Sequence, residues 1–325
     1  PLFCPEFFRG IEPRTSSRTR IAYAYDLGVF FDFLKKENPV FAKMDNSQIT
    51  LEHLDPLPVT DLEEHMEYLK YRFNEKNQEV TNKERRIMSK ISSLKSLYNY
   101  FYRSEKLKNN PAALVQLPKL HEKDIIRLDV DEVALLLDEV ESGDKLTKQQ
   151  KSFHEKTKVR DLAILTLLLG TGIRVSECVG LNISDIDFKN GGIRIHRKGG
   201  KEVTVYFGDE VEQALKAYLD ERGHIIPETG HEEALFLSMQ KKRIAVRSVE
   251  NLVKKYAKVV TPLKKITPHK LRSTYGTTLY RETGDIYLVA DVLGHSDVNT
   301  TKKHYAALED ERRRSARNKV TLREK

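Results

Sequence analysis

The sequence predicts a mainly helical chain of two domains: an all-α N-terminal domain, then a mainly α domain that carries a small antiparallel β-sheet. Three observations predict it. At 325 residues the chain exceeds one typical domain and suits two. Apolar residues recur at spacings of three and four in both halves, the stripe of core-facing helices. Between Ile193 and Tyr206 the period changes to two, as in a strand.

Composition narrows the class. Hydrophobic residues are 39% and charged residues 32%, enough for a packed core and against wholesale disorder. The formal charge is +8 and the isoelectric point about 9.2. That balance favours a polyanionic partner, nucleic acid or an acidic membrane surface. Two cysteines, Cys4 and Cys178, with no CxxC and no Cys/His spacing suited to zinc, argue against a disulfide framework and fit a reducing compartment. The longest apolar run, Leu162 to Leu169, falls well short of the roughly twenty residues of a membrane span. No signal peptide is visible. A cytoplasmic protein without membrane contact is therefore expected.

In the first half, residues 1–15 carry three prolines and little periodicity, so an extended lead-in is expected. Ser16 or Ser17 then caps a helix whose core stripe is Tyr23, Leu27, Phe30, Phe31 and Leu34. A second helix is expected over 60–74, capped by Thr60 and carrying Leu62, Met66 and Leu69. The third begins near Asn82, with Ile87, Ile91, Leu94, Tyr98 and Phe101 on one face. Its other face repeats Arg85, Ser89, Ser92, Ser96 and Asn99, flanked by Arg86 and Lys90. Short polar side chains beside cations suit close approach to phosphates, and equally an ordinary solvated face. Asn109-Asn110-Pro111 closes this domain at about residue 112. A linker over 113–128 follows, with Pro118 and the basic residues Lys119, Lys123 and Arg127.

The second domain, 129–308, opens with a helix over 129–140. The polar stretch SGDKLTKQQKSFHEKT is expected to be an exposed loop. A strongly apolar helix over 158–169 stops at Gly170 and Gly172, and Arg174 falls just after that stop. Ile193 and Ile195, then Val203 and Val205, alternate with polar residues around the basic tip Arg197-Lys198-Gly199-Gly200-Lys201, a hairpin. Helices near 209–222 and 248–259 follow, then three short ones broken at Gly284 and around Gly294. Residues 309–325 form a tail with a basic stretch and then Val320 and Leu322.

The chemistry-bearing residues stand in Gly-Thr-Gly-Ile-Arg174-Val-Ser-Glu177, the hairpin lysine, His269-x-x-Arg272, Leu-Gly-His295-Ser and Tyr305. Singly, each has a plainer explanation: a surface arginine, a capping histidine, a turn lysine, one of fourteen tyrosines. Five motifs in this order, over roughly 130 residues, resemble the catalytic domain of the tyrosine recombinases, the phage and conjugative-transposon integrases. The first half is similar in kind to their helical core-binding domain.

The physical logic of these residue types stands beside the name. Attack on a phosphodiester gathers negative charge on its non-bridging oxygens. Arg174 and Arg272 offer planar, permanently charged forks to those oxygens. Tyr305 is the expected nucleophile. A phenol titrates near pH 10, and adjacent guanidiniums favour its ionised form. His269 and Arg272 lie three apart on one helix face. The resemblance implies that His269 and His295 bond the scissile phosphate or assist proton transfer. It implies too that a hairpin-tip lysine protonates the leaving 5′ oxygen. Lys198 matches the family position, and Lys201 is its rival. Glu177 is expected to orient basic groups without itself reacting. Two departures stand out: Tyr305 falls ten residues after His295, where nine is usual, and Ser273 follows Arg272, where many members have histidine.

The resemblance therefore implies a bacterial, nucleoid-associated integrase or excisionase of a mobile element, acting through a 3′-phosphotyrosyl intermediate without metal or other cofactor. Its expected partner is double-stranded DNA, contacted in the first domain and linker by Arg85, Arg86, Ser89, Lys90, Ser92, Ser96, Lys119 and Lys123. A dimer on one DNA site, a tetramer on two, accessory DNA-bending or excision proteins, and a tail that docks on a neighbouring protomer are expected with it. The start at Pro1 leaves room for an arm-binding domain ahead of it. Three other readings compete: a type IB topoisomerase, a non-catalytic DNA-binding regulator, and a metal-dependent nuclease or transposase, for which no carboxylate cluster is visible.

Overall fold

The computed structural model describes residues 1–74, 77–119, 126–197, 200–295 and 298. The chain divides into two compact units, Pro1–Lys123 and Asp124–Lys325.

The first unit begins with a helix where an extended lead-in was expected. α1 (Cys4–Ile11) has its proline in the first turn, where a missing N–H costs nothing. It is held by the core: Phe7 is fully buried and its ring meets those of Tyr100 and Phe101. α2 (Ser17–Glu37) starts as predicted, with the Ser16 hydroxyl accepting from the Thr19 N–H. It buries Leu27, Phe30, Phe31 and Leu34. α3 (Leu51–Leu54) and α4 (Val59–Lys70) follow.

The helix expected to run to residue 74 ends at Lys70. Tyr71–Phe73 (β1) and Glu79–Thr81 (β2) form a two-stranded antiparallel hairpin in register Tyr71↔Thr81. This unit is therefore not all-α. Aromatic and β-branched residues suit the pleat, and the Gln78 N–H donates to the Asn74 side chain across the turn. α5 (Glu84–Arg103) presents Ile87, Ile91, Leu94, Tyr98 and Phe101 to the core, and the Tyr98 hydroxyl donates to the Leu54 carbonyl at 3.2 Å. α6 (Pro111–Leu114) closes the unit.

The second unit is organised on α9. α7 (Val130–Ser142) ends on Gly143 in the left-handed region. The polar stretch expected as a loop contains α8 (Lys148–His154), whose Thr147 and Gln150 cap each other reciprocally. α8 is tied inward by its one buried end. His154 Nδ1 lies 3.0 Å from the Tyr256 hydroxyl, which donates to Asp161 Oδ2 at 3.0 Å. Because that hydroxyl's proton goes to the carboxylate, His154 is the donor to its oxygen. Burial and the nearby Lys255 hold His154 below the ordinary histidine range, which fits a neutral ring.

α9 (Lys158–Thr171) buries Ala163, Ile164, Leu165, Leu167 and Leu168 and packs against α7, α11 and α13. Each such leucine or isoleucine contributes about 1.5–3 kcal/mol by leaving water. After α10 (Val175–Gly180), the predicted hairpin appears as β4 (Gly192–His196) and β5 (Glu202–Tyr206), in register Ile193↔Val205. A short strand, β3 (Ile186–Asp187), extends it to a three-stranded antiparallel sheet of order β3-β4-β5. α11 (Asp209–Gly223), α12 (Val246–Val260), α13 (Pro268–Thr283) and α14 (Ile286–Leu293) complete the described residues. The third of the short closing helices lies outside them. Among the described residues no helix is long and apolar enough to cross a membrane.

Candidate active site

Arg174 is placed by two local devices. Gly172 ends α9 in the left-handed region, and a Cβ there would collide with the Tyr275 ring. The chain then turns sharply, and Arg174 becomes the N-cap residue of α10. One carboxylate holds it at both ends. Glu177 Oε2 accepts the Arg174 N–H at 2.7 Å, and Oε1 accepts its Nη1 at 2.9 Å. The Glu177 side chain is 5% exposed and that of Arg174 41%, so a buried acid steers a partly open base.

Arg272 comes from the first turns of α13 and is buried. Its Nη1 donates to the Gly172 carbonyl at 2.5 Å, and its Nη2 donates to the Leu293 carbonyl. His269, one turn earlier, is exposed, and its carbonyl accepts from the Ser273 hydroxyl at 3.0 Å. Ser273, next to Arg272, thus spends its hydroxyl on its own helix backbone. His295 follows Gly294, whose left-handed conformation ends α14, and its N–H donates to the Ala290 carbonyl at 2.9 Å.

The end of α14 is where these residues converge. Arg174 Nη2 donates to the Gly294 carbonyl at 3.2 Å and Arg272 to that of Leu293. Arg197, at the hairpin tip, donates to Val292 O at 2.7 Å and Asp291 O at 3.4 Å. Three guanidiniums thus gather on carbonyls that a helix leaves without intrahelical partners, at its partially negative pole. Arg197 was not singled out from the sequence. Its place in a basic turn was the available signal, but its contact lies 95 residues away.

Arg174, Glu177, His196, Arg197, Lys201 and His295 are among the residues lining a cleft of about 870 Å³. His269 and Arg272 are not among them; Arg272 connects to the cleft through the α14 terminus. Lys198 and Tyr305 lie outside the described residues, as does Lys123. The Tyr275 phenol, beneath Gly172, is pushed up by burial, the opposite of what a nucleophile needs. Among the described residues no group of three His, Cys, Asp or Glu side chains is placed to hold a metal ion.

The polar face of α5 exposes Arg85, Arg86, Ser89 and Ser92 and leaves Ser96 half-buried. Ser92 and Ser96 line a cleft of about 550 Å³ with Arg14, Lys95 and Arg103, three cations that sequence reading passed over. Lys119 is exposed. Lys90 is corrected: it does not belong to this face. It is buried, with its Nζ 2.7 Å from Asp26 Oδ1 on α2. A lysine can leave water when an acid meets it, and that acid lies 64 residues earlier.

The sequence pattern of the phage integrase family matches residues 127–312. Tyrosine recombinase XerC of Caldanaerobacter subterraneus subsp. tengcongensis is 36% identical over 327 residues, covering 97% of this chain and 85% of that protein. Tyrosine recombinase XerD of Staphylococcus epidermidis is 30% identical over 296 residues, covering 91% and 90%. Among solved structures, XerH site-specific recombinase bound to palindromic difH substrate in a post-cleavage complex superposes with a TM-score of 0.68 at 19% identity, covering 91% of this chain and 78% of that one. The Tn1549 transposon integrase in complex with circular intermediate DNA superposes with a TM-score of 0.67 at 20% identity, covering 95% and 98%. These two likenesses show a shared fold.

Proposed function

The chain belongs to the phage integrase family and is a site-specific tyrosine recombinase, and from that premise we propose that it cuts and rejoins double-stranded DNA through a 3′-phosphotyrosyl link at Tyr305. The observation that carries this reading is the convergence of Arg174, Arg272 and His295 on one helix end, within the family match that also spans Tyr305. The DNA-bound complexes among the fold's solved relatives support duplex DNA as the partner.

In the proposed reaction Tyr305 Oη attacks phosphorus in line and the P–O5′ bond breaks. Arg174 and Arg272 take the non-bridging oxygens, where preorganised donors are worth about 3–4 kcal/mol each. Glu177 keeps the Arg174 fork aimed. His269 and His295 bond the same phosphate or move its protons. Lys198, with Lys201 as rival, protonates the departing 5′ oxygen. A 5′ hydroxyl from another duplex then attacks the phosphotyrosine. The adduct conserves the bond energy, so the scheme needs neither ATP nor metal. Arg85, Arg86, Ser89, Ser92, Ser96, Lys119 and Lys123 contribute contacts to the DNA backbone. The proposed assembly is a dimer on one site and a tetramer on two, with residues 309–325 docked on a neighbour.

The finer role proposed is integration or excision of a mobile element, supported by the fold shared with the Tn1549 transposon integrase. The XerC and XerD relatives at 30–36% identity favour a second reading, exchange at a site outside any such element. Mapping the exchange sites in cells separates the two. The core reading is tested with a nicked suicide duplex. The wild type should form a covalent adduct, and Tyr305→Phe should lose it while still binding DNA. An adduct formed by the phenylalanine variant overturns the nucleophile assignment.

A further inference from the structure

Arg197 holds two parts of the second unit at once. Its backbone closes the hairpin tip: its N–H donates to the Lys201 carbonyl at 2.8 Å and its carbonyl accepts from the Gly200 N–H at 3.2 Å. Its side chain reaches the end of α14, donating to Asp291 and Val292. The guanidinium lies so close to Gly294 that a Cβ there would collide with it. Neighbouring polar side chains on β4 do not do this. Arg194 and His196 are exposed and pair with Asp185 and Glu202.

We infer that Arg197 is a positioning residue for the cleavage step, clamping the lysine-bearing hairpin tip to the Gly294–His295 corner. The inference rests on the reading above, in which a tip lysine is the proton donor. Lys198 follows Arg197 directly in the chain, and Lys201 is its partner across the turn. Among the described residues, a tip without this clamp is tied to the sheet alone. The donor's proton must arrive as the P–O5′ bond breaks, so a tip that wanders by about an ångström loses rate where proton transfer is needed. A plain helix-capping role would have no such selectivity, because it would weaken every function of the corner equally.

That difference defines the experiment. Two nicked suicide duplexes are compared, alike except for oxygen or sulfur at the 5′ bridging position. With oxygen, Tyr305 Oη gives its proton to a site histidine or water as Oη–P forms, P–O5′ breaks and the ammonium proton passes to O5′. With sulfur, P–S breaks and the thiolate leaves without a proton. The full chain and its Arg197→Ala, Arg197→Lys and Lys198→Ala variants are assayed for the rate of adduct formation. Since a general acid contributes about 10²–10⁴-fold, Arg197→Ala is expected to slow the oxygen substrate by about tenfold or more and to recover on sulfur to nearly the wild-type rate. Adduct formation on sulfur is its own proof of folding. Arg197→Lys, able to reach a single carbonyl, should fall between.

A wild-type rate for Arg197→Ala on oxygen overturns the inference. So does an equal loss on both substrates that Arg197→Lys shares. Lys198→Ala reports on the underlying reading: recovery on sulfur identifies Lys198 as the donor, and a wild-type rate on oxygen moves that role to Lys201 with the clamp unchanged. A wild type that forms no adduct on either duplex overturns the recombination reading and this inference with it.

Discussion

Replacing Lys90 by methionine removes one half of an ion pair that the first unit keeps from water. The two groups are 2.7 Å apart, and their side chains are only 6% and 4% exposed. With one charge gone, the other is buried without its partner, at a cost of about 3–5 kcal/mol. Replacing both, Asp26→Leu with Lys90→Met, removes both desolvation penalties, and the double variant should regain most or all of that loss. With a urea dependence of about 1–3 kcal/mol per molar, the single variant's midpoint should fall by roughly 1–5 M. The chain has no tryptophan, so the transition is followed by hydrogen exchange at the amides of α2 and α5. DNA binding gives a second readout. A lysine on a phosphate contributes about 0.9 to the slope of log K against log salt. The double variant should keep the wild-type slope, because Lys90 faces Asp26 and not DNA. A double variant as unstable as the single one refutes the ion-pair account. A stable double variant with a slope flatter by about one returns Lys90 to the DNA-binding face.

Two further predictions concern His65 and Gly294. His65 is fully buried against Phe30 and Phe33, and neither ring nitrogen has a hydrogen-bond partner among the described residues. Burial, then Lys90 and Arg72, lower it from 6.5 to about 3. Above pH 6.5 it is neutral folded and unfolded. Below that the unfolded chain takes the proton first, so the first unit should lose about 1.4 kcal/mol per pH unit down to about pH 3. His65→Phe should remove that component from urea midpoints measured across the range, and an unchanged pH slope contradicts it. Gly294→Ala places a side chain at φ +60°, costing about 1–2 kcal/mol, where the Arg197 guanidinium now sits. Adduct formation should slow on the oxygen substrate more than on sulfur, and equal rates on both contradict it.

What could be read from the sequence follows from the range of the interactions. The stripes of α2, α5 and α9 are local and periodic, and so were legible. Arg174 stood out because glycines announce the end of α9 just before it. α1 was missed because the three prolines of residues 1–15 suggested extension, although a first-turn proline is compatible with a helix. α8 was missed because its one buried side chain is His154 at its end, while Phe153 beside it is exposed. The β1–β2 hairpin was hidden because Leu62, Met66, Leu69 and Phe73 continue a helical spacing across the break. Lys90 and Arg197 were misjudged or missed for one reason. Their partners lie 64 and 95 residues away, and no local pattern records such a pairing.

A helix C-terminus usually ends in carbonyls turned toward water. At the end of α14 guanidiniums from three separate elements stand there instead. In the proposed reaction two of them, on Arg174 and Arg272, also belong to the scissile phosphate. Carbonyl and phosphate oxygens are then rivals for the same donors. If a phosphate took those same N–H groups, Leu293 and Gly294 would lose these donors, and the last turn of α14 would be held by fewer bonds. Its arrival trades one acceptor for another, and the net gain is the difference between two bonds.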